Sequence, residues 1–252
     1  MKTVNIGKHV VEIFDSIEDL PMVRFHKYNK MSLIDGGIGS DLTDFDNHIE
    51  RAIAFNKRGK PDLSNMELEN LRQNIYLIQT ELSPKHLAFA VLIKSIDGVE
   101  KKDLSDEGLQ KILDLFADIP QNEMTAHSEA VKKKIDEELQ LYYPDLFDDS
   151  TIKEYYDDLR KKTLLELQSI INGKTVENEI EIERITLELI TYNKPHIFSG
   201  TKNAEIEHNK SFGNMCTMIS EYLHLDAKEL TVLEFYISFE RVKEKLKPTK
   251  KQ

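Results

Sequence analysis

The sequence predicts a mainly α protein, a multi-helix bundle with a small N-terminal β-hairpin. Apolar residues recur three and four apart along most of the chain, the spacing that builds one helix face. Breakers are sparse, with 10 Gly and 7 Pro in 252 residues. Only the opening segment sets β-branched residues on both sides of a turn. Together these predict about two-thirds helix, against a usual third.

The hairpin is Thr3–Phe14, turning at Asn5-Ile6-Gly7-Lys8. A lone hairpin is barely stable in water, so it must pack on helices or add to another chain's sheet. Pro21 suits the first turn of a helix. That helix runs through Met22, Phe25, Met31 and Leu33 and is expected to stop at Gly36-Gly37. Asp41, with Asp44 three residues on, caps the next, whose expected inner face is Phe45, Ile49, Ala52 and Ile53. A third starts near Asp62 or Ser64 and uses Leu68, Leu71, Ile75, Ile78 and Leu82. Pro84 opens a fourth over Lys85–Ile93, apolar on nearly all sides and therefore expected to be the most buried. Asp97-Gly98 is a turn, and Ser105 caps a helix with Leu104 and Leu109 as a hydrophobic staple. This helix uses Ile112, Leu113 and Phe116 and ends near Pro120.

A boundary near Asp118-Ile119-Pro120 would divide the chain into 1–120, hairpin plus helices, and 121–252, long helices; a single domain is the other reading. Val131, Ile135, Leu139 and Tyr142 form one narrow stripe ended by Pro144. Ile152, Tyr155, Leu159, Leu167, Ile170 and Ile171 form another, ended by Asn172-Gly173. The short Pro-containing turn between them predicts an antiparallel helical hairpin. Glu177–Glu183 alternates in strand fashion, but Ile182, Ile185, Leu189 and Ile190 favour helix. Asn193–Glu207 reads as loop, and helices over about Glu207–Leu223 and Asp226–Lys245 close the chain. No internal repeat of fixed period is visible.

Lys and Arg total 34 and Asp and Glu 45, a formal net charge of −11. That excess argues against sequence-specific or general nucleic-acid binding, which needs clustered cations. No stretch reaches the roughly 18–20 apolar residues that cross a bilayer, and the first residues lack the apolar run of a signal peptide, so a soluble, intracellular-type protein is expected. A single cysteine, Cys216, forbids an internal disulfide. Six acids lie between Asp145 and Asp158, against Lys153; six bases lie between Arg241 and Lys251, against Glu244. These are a solvated face and a basic tail, or a complementary pair between neighbouring copies.

Each candidate for chemistry reads better as structure. Gly36-Gly37-Ile38-Gly39-Ser40-Asp41 lacks the Gly-Lys-Ser/Thr ending of a phosphate loop. Asp41, Asp44 and Asp46 do not alternate as calcium ligands do. Glu205–His208 and Glu221–His224 share the Glu-x-x-His spacing of di-iron bundles, but flanking one helix they stand about 24 Å apart. Cys216, among Met215, Met218 and Ile219, reads as a packed thiol rather than a nucleophile. The pairs Tyr142-Tyr143, Tyr155-Tyr156 and Phe235-Tyr236 would place one ring in the core and one at a rim, or anchor an interface. No catalytic, cofactor-binding or metal residues are therefore assigned, no cofactor is expected, and no enzymatic activity.

The segment Leu20-Pro21-Met22-Val23-Arg24-Phe25-His26-Lys27-Tyr28-Asn29-Lys30, followed by Asp35–Asp41, resembles the opening of a protein family from tailed phages of gut Bacteroidales, including crAss-like phages. Ala88-Phe89-Ala90-Val91 and Asp103–Leu109 continue the likeness, which covers roughly the first 115 residues. It implies a virion component: a ring or collar homo-oligomer below the portal, linking capsid to tail around the DNA channel, touching portal and other tail proteins and no membrane. No catalytic residues come with it. A tail-assembly chaperone, absent from the finished particle, is the alternative; the closing helices from Phe212-Gly213-Asn214-Met215 to Phe235-Tyr236 resemble such proteins.

Overall fold

Gly7 turns the first hairpin because it sits at φ +55°, where a side chain would be strained. The computed structural model describes residues 1–119, 121–144, 150–192, 194–201 and 203–246. Strands β1 (Lys2–Ile6) and β2 (His9–Ile13) flank that turn. The hairpin finds its partner inside its own chain. β2 pairs with β3 (Ile93–Ile96), which returns through Asp97-Gly98 as β4 (Val99–Glu100), giving an antiparallel sheet in the order β1-β2-β3-β4. Asp97 and Gly98 lie at φ +51° and +79°, the positive pair that a tight two-residue hairpin turn requires. The Asp97 carboxylate also accepts from Val10 N at 2.9 Å and pairs with His9 Nδ1 at 2.6 Å. Ile93 was expected in helix and is strand. The run through Leu92 and Ile93 is buried on every side, so it carries no period by which helix and strand can be told apart.

Helix α1 (Met22–Ile38) runs through Gly36 and Gly37 instead of stopping there, and ends at Gly39, φ +66°. Gly37 serves a close approach: a Cβ there would lie 2.3 Å from the Phe198 ring. Helix α2 (Leu42–Lys57) begins at the expected cap, with Asp41 accepting from Thr43 N and Asp44 N while Asp44 accepts from Asp41 N. Its buried face is His48, Ala52, Ala54 and Phe55; Ile53, expected inside, is exposed. In α3 (Pro61–Gln79) the expected apolar stripe is displaced too. Leu68 and Ile75 face solvent, and the buried positions are Glu67, Asn70 and Asn74. Helix α4 (Pro84–Leu92) is the apolar rod the sequence predicts, buried except at Lys85 and His86. In α5 (Asp106–Asp114) Ser105 accepts from Gly108 N at 3.0 Å.

In α6 (Gln121–Tyr142) Val131, Ile135 and Leu139 are buried as expected, but the stripe continues at Tyr143, 7% exposed, rather than Tyr142, 48%. Helices α7 (Ser150–Asn172) and α8 (Val176–Tyr192) follow. The antiparallel hairpin forms with a different partner: among the described residues α7 packs chiefly on α8 rather than on α6. Helix α9 (Ala204–Leu223) starts earlier than expected, where Asn203 caps Ile206 N at 2.8 Å. Helix α10 (Val232–Leu246) starts later, after a turn over 226–230.

The entries to α1 and α10 bind each other. Met22 N donates to Leu230 O at 2.8 Å and Val232 N to Leu20 O at 2.9 Å, around a Pro21–Thr231 bridge. Ser16-Ile17-Glu18-Asp19-Leu20-Pro21-Met22 and Asp226-Ala227-Lys228-Glu229-Leu230-Thr231-Val232 thus meet as a local two-fold pair, with Leu20, Met22 and Val232 buried. Buried Arg24 ties α1 to the sheet, donating to the carbonyls of Val91 (2.7 Å), Ile93 (3.1 Å) and Lys101.

One apolar cluster joins the sheet with α1, α4, α5, α6, α9 and α10. Residues on both sides of position 120 contribute to it, from Ile6 to Val242. Ala52, Phe55, Ile185 and Phe198 are buried outside it, in a second lobe where α2, α3 and α8 meet.

Candidate assembly interface

An amphipathic helix normally turns its apolar stripe inward. Helix α7 does the reverse. The residues it half-buries are Tyr155, Asp158, Lys162, Leu165 and Ser169, a mixed polar face. Its apolar stripe of Tyr156, Leu159, Leu164, Leu167, Ile170 and Ile171 faces solvent, with Ile170 and Ile171 each 78% exposed. Val176 and Ile180 at the start of α8 extend the patch around the tip of the hairpin. Leu159, Leu167, Ile170 and Ile171, expected to pack within the helical hairpin, are therefore surface. The exposed apolar area is on the order of several hundred Å², at or above the largest patch of an ordinary monomer.

The arm that carries this patch is stiffened by charge. Lys161 reaches across to Glu181 at 2.6 Å, and Arg184 takes both Glu181 and Glu188. The Arg184 and Lys161 hydrogen bonds hold the Glu181 carboxyl down at about 2. Tyr192 donates to Asp158 at 3.1 Å. The arm meets the rest of the chain at α2, where Lys57 pairs with Glu183 at 3.2 Å.

A concave apolar surface lies elsewhere, between α1, α3 and α4. This cleft of about 600 Å³ has a floor of Met31, Ile34, Ile38, Leu77, Leu82 and Leu87. Its rim is charged in both senses, by Lys30 and Arg72 against Glu69, Asp106 and Glu205. Lys30 pairs with Glu205 at 2.7 Å, whereas Arg72 holds Glu69 at 3.2 Å from an open position. Among the described residues, none of α7 or α8 lines the cleft.

Beneath this cleft sits a polar cluster the sequence reading did not isolate. His48 Nδ1 meets Glu67 Oε2 at 2.7 Å and His48 Nε2 meets the Ile38 carbonyl at 2.9 Å. Nδ1 faces the Glu67 carboxyl and Nε2 the Ile38 carbonyl, an arrangement that favours the protonated ring. Burial works against that charge, but the Glu67 carboxylate and the Ile38 carbonyl outweigh it and the His48 pKa is raised. Arg51 closes on the other Glu67 oxygen at 2.7 Å. Asn74 donates to Ile38 O at 3.1 Å and Asn70 to His196 O at 2.9 Å. This cluster ties α1, α2, α3 and the segment after α8 together. The Glu67, Asn70, Asn74 spacing opposite His48 is the signal that points to it.

The remaining candidates resolve as structure. Gly36–Asp41 is the end of α1 and the cap of α2. His208 lies near the start of α9 and His224 at its left-handed C-cap, and no group of three or more metal-ligating side chains converges among the described residues. His208 instead stacks on His26 at 4.4 Å, and His26 on Phe212 at 4.0 Å, which joins α1 to α9. Cys216 is buried in the main cluster, where burial pushes its thiol up. Tyr143 and Tyr236 pack together at 5.0 Å. Of the charged segments, Asp145, Asp148, Asp149, Lys247, Lys250 and Lys251 lie outside the described residues. Arg241, Lys243 and Lys245 are exposed, Lys243 over the Phe239 ring. No helix among the described residues is long and apolar enough to cross a membrane.

No family model, curated protein or solved structure matches the chain.

Proposed function

We propose that this protein is a structural subunit that assembles with copies of itself, in the form the sequence resemblance implies: a ring or collar component between phage portal and tail, located in the virion. The observation that carries the reading is the outward apolar face of α7. A 23-residue helix held by ion pairs, with its aliphatic side chains presented to solvent, is arranged for a partner surface and not for the chain's own core. A ring needs stiff elements and a heterologous contact that rotates shut. The arm supplies the first and one half of the second. The reading assigns no catalysis.

Negative-stain electron microscopy and light scattering on the purified full chain test this. Closed rings of uniform size are expected. A monodisperse single-copy species at high micromolar concentration overturns it. Mass spectrometry of purified particles separates the virion reading from the chaperone: many copies per particle are expected, and none would favour the chaperone.

A further inference from the structure

We infer that the joint between α1 and α9 is an acid-released latch: protonating the stacked His26–His208 pair frees the start of α9 from α1 while the rest of the fold stands. The inference is independent of the assembly reading. The latch is a stack of three rings. His26, on α1, lies nearly parallel to His208 (4.4 Å, 6°) and to Phe212 (4.0 Å, 12°). Two rings at those distances cannot share one face, so the His26 imidazole is inserted between side chains one helical turn apart on α9. Hydrogen bonds cross the same joint. His26 Nε2 meets Asn209 Oδ1 at 2.9 Å, and His208 Nε2 meets the His26 carbonyl at 3.3 Å. Each uses one N–H of a neutral ring, so the joint is complete with no charge on either histidine.

The surroundings make a second proton costly. One imidazolium can rest against a neutral ring and the Phe212 face. Two place like charges 4.4 Å apart in a half-buried site. Burial already disfavours the cationic form of His26, and Lys27 and Lys30 on α1 add to that. The acids beside these lysines are engaged with them: Glu205 on α9 holds Lys30 at 2.7 Å, and Asp106 at the start of α5 holds Lys27 at 2.6 Å. From α10 the stack meets the Phe235 ring, 5.9 Å from Phe212. The inner face of α9 is His208, Phe212, Cys216 and Ile219, spaced four, four and three. The far end of α9 is tied to α10, where Lys245 donates to Tyr222 O at 3.1 Å. Release therefore starts at His208 and uncovers Phe212 and then Cys216, a local opening short of global unfolding. Cys216 is the chain's one cysteine and is 7% exposed, so its thiol reports that opening.

The test labels Cys216 of the full chain with 4,4′-dithiodipyridine, which reacts with thiols on both sides of neutrality. Each rate is divided by that of the urea-unfolded chain at the same pH, and far-UV circular dichroism follows helix content alongside. The ratio is expected to rise about tenfold as pH falls from about 7.5 to about 5.5, with helix content unchanged. His208→Phe keeps a stacking face and cannot gain a proton, so it is expected to remove most of the rise; His208→Gln, which cannot gain one either, replaces it if helix content is not parental. A thiol equally protected across the range overturns the inference. So does an unchanged rise in the variant, or a rise that coincides with loss of helix, which would be global unfolding instead of a latch.

Discussion

Glu67→Gln isolates the buried charge that holds the second lobe together. Glu67 is fully buried and faces two cations, His48 at 2.7 Å and Arg51 at 2.7 Å. Glutamine keeps the shape and removes the charge. The His48 imidazolium then has no counter-ion in a site where its other nitrogen already donates to Ile38 O. Breaking one partner from a buried pair costs about 3–5 kcal/mol, and His48 relieves part of this by losing its proton. A loss of about 3 kcal/mol is expected, which for a chain of this size lowers the melting temperature by roughly 6–12 °C. Far-UV circular dichroism on heating reads it.

The pH dependence supplies the control. The folded His48 pKa lies above its ordinary value of 6.5. Its contribution is therefore complete below the unfolded value and is lost as pH rises through the folded one. The gap between parent and Glu67→Gln should be widest at mildly acidic pH and narrow on the alkaline side. A variant that melts with the parent, or a gap that does not change with pH, would refute the imidazolium assignment.

The other expectations are local. Gly36 and Gly37 are neighbours in α1 with opposite surroundings: nothing lies near a Cβ at Gly36, while the Phe198 ring occupies that space at Gly37. Gly36→Ala should gain about 0.5–1 kcal/mol from helix propensity, and Gly37→Ala should lose about 1–3 kcal/mol by overpacking; equal urea midpoints would contradict the Phe198 contact. Leu92→Asp puts a carboxylate at a fully buried position of α4 and should cost several kcal/mol; parental melting would show α4 to be less enclosed. Burial lowers the His26 pKa, against the Asn209 hydrogen bond, so its contribution is present above the unfolded value and is lost as pH falls below about 6.5. His26→Phe keeps the stack on Phe212 and should flatten that acid-side loss in a melting series.

Helix identity was legible because the 3.6 period survives wherever one face is apolar and the other wet, as in α6, where Val131, Ile135 and Leu139 fell where expected. It failed where that contrast vanished. Ile93 could not be told from Leu92 because both are enclosed on all sides. In α3 the rule was inverted, because the buried stripe is Glu67, Asn70 and Asn74, which hydrogen-bond to partners distant in sequence. Gly37 looked like a stop because Phe198, from the far half of the chain, is what demands a glycine there. The α7 stripe was read as the inner face of a helical hairpin and is exposed, since periodicity reports that one face is apolar and not what that face packs against. Asp41 and Ser105 fared best, because a cap bonds to backbone two or three residues away.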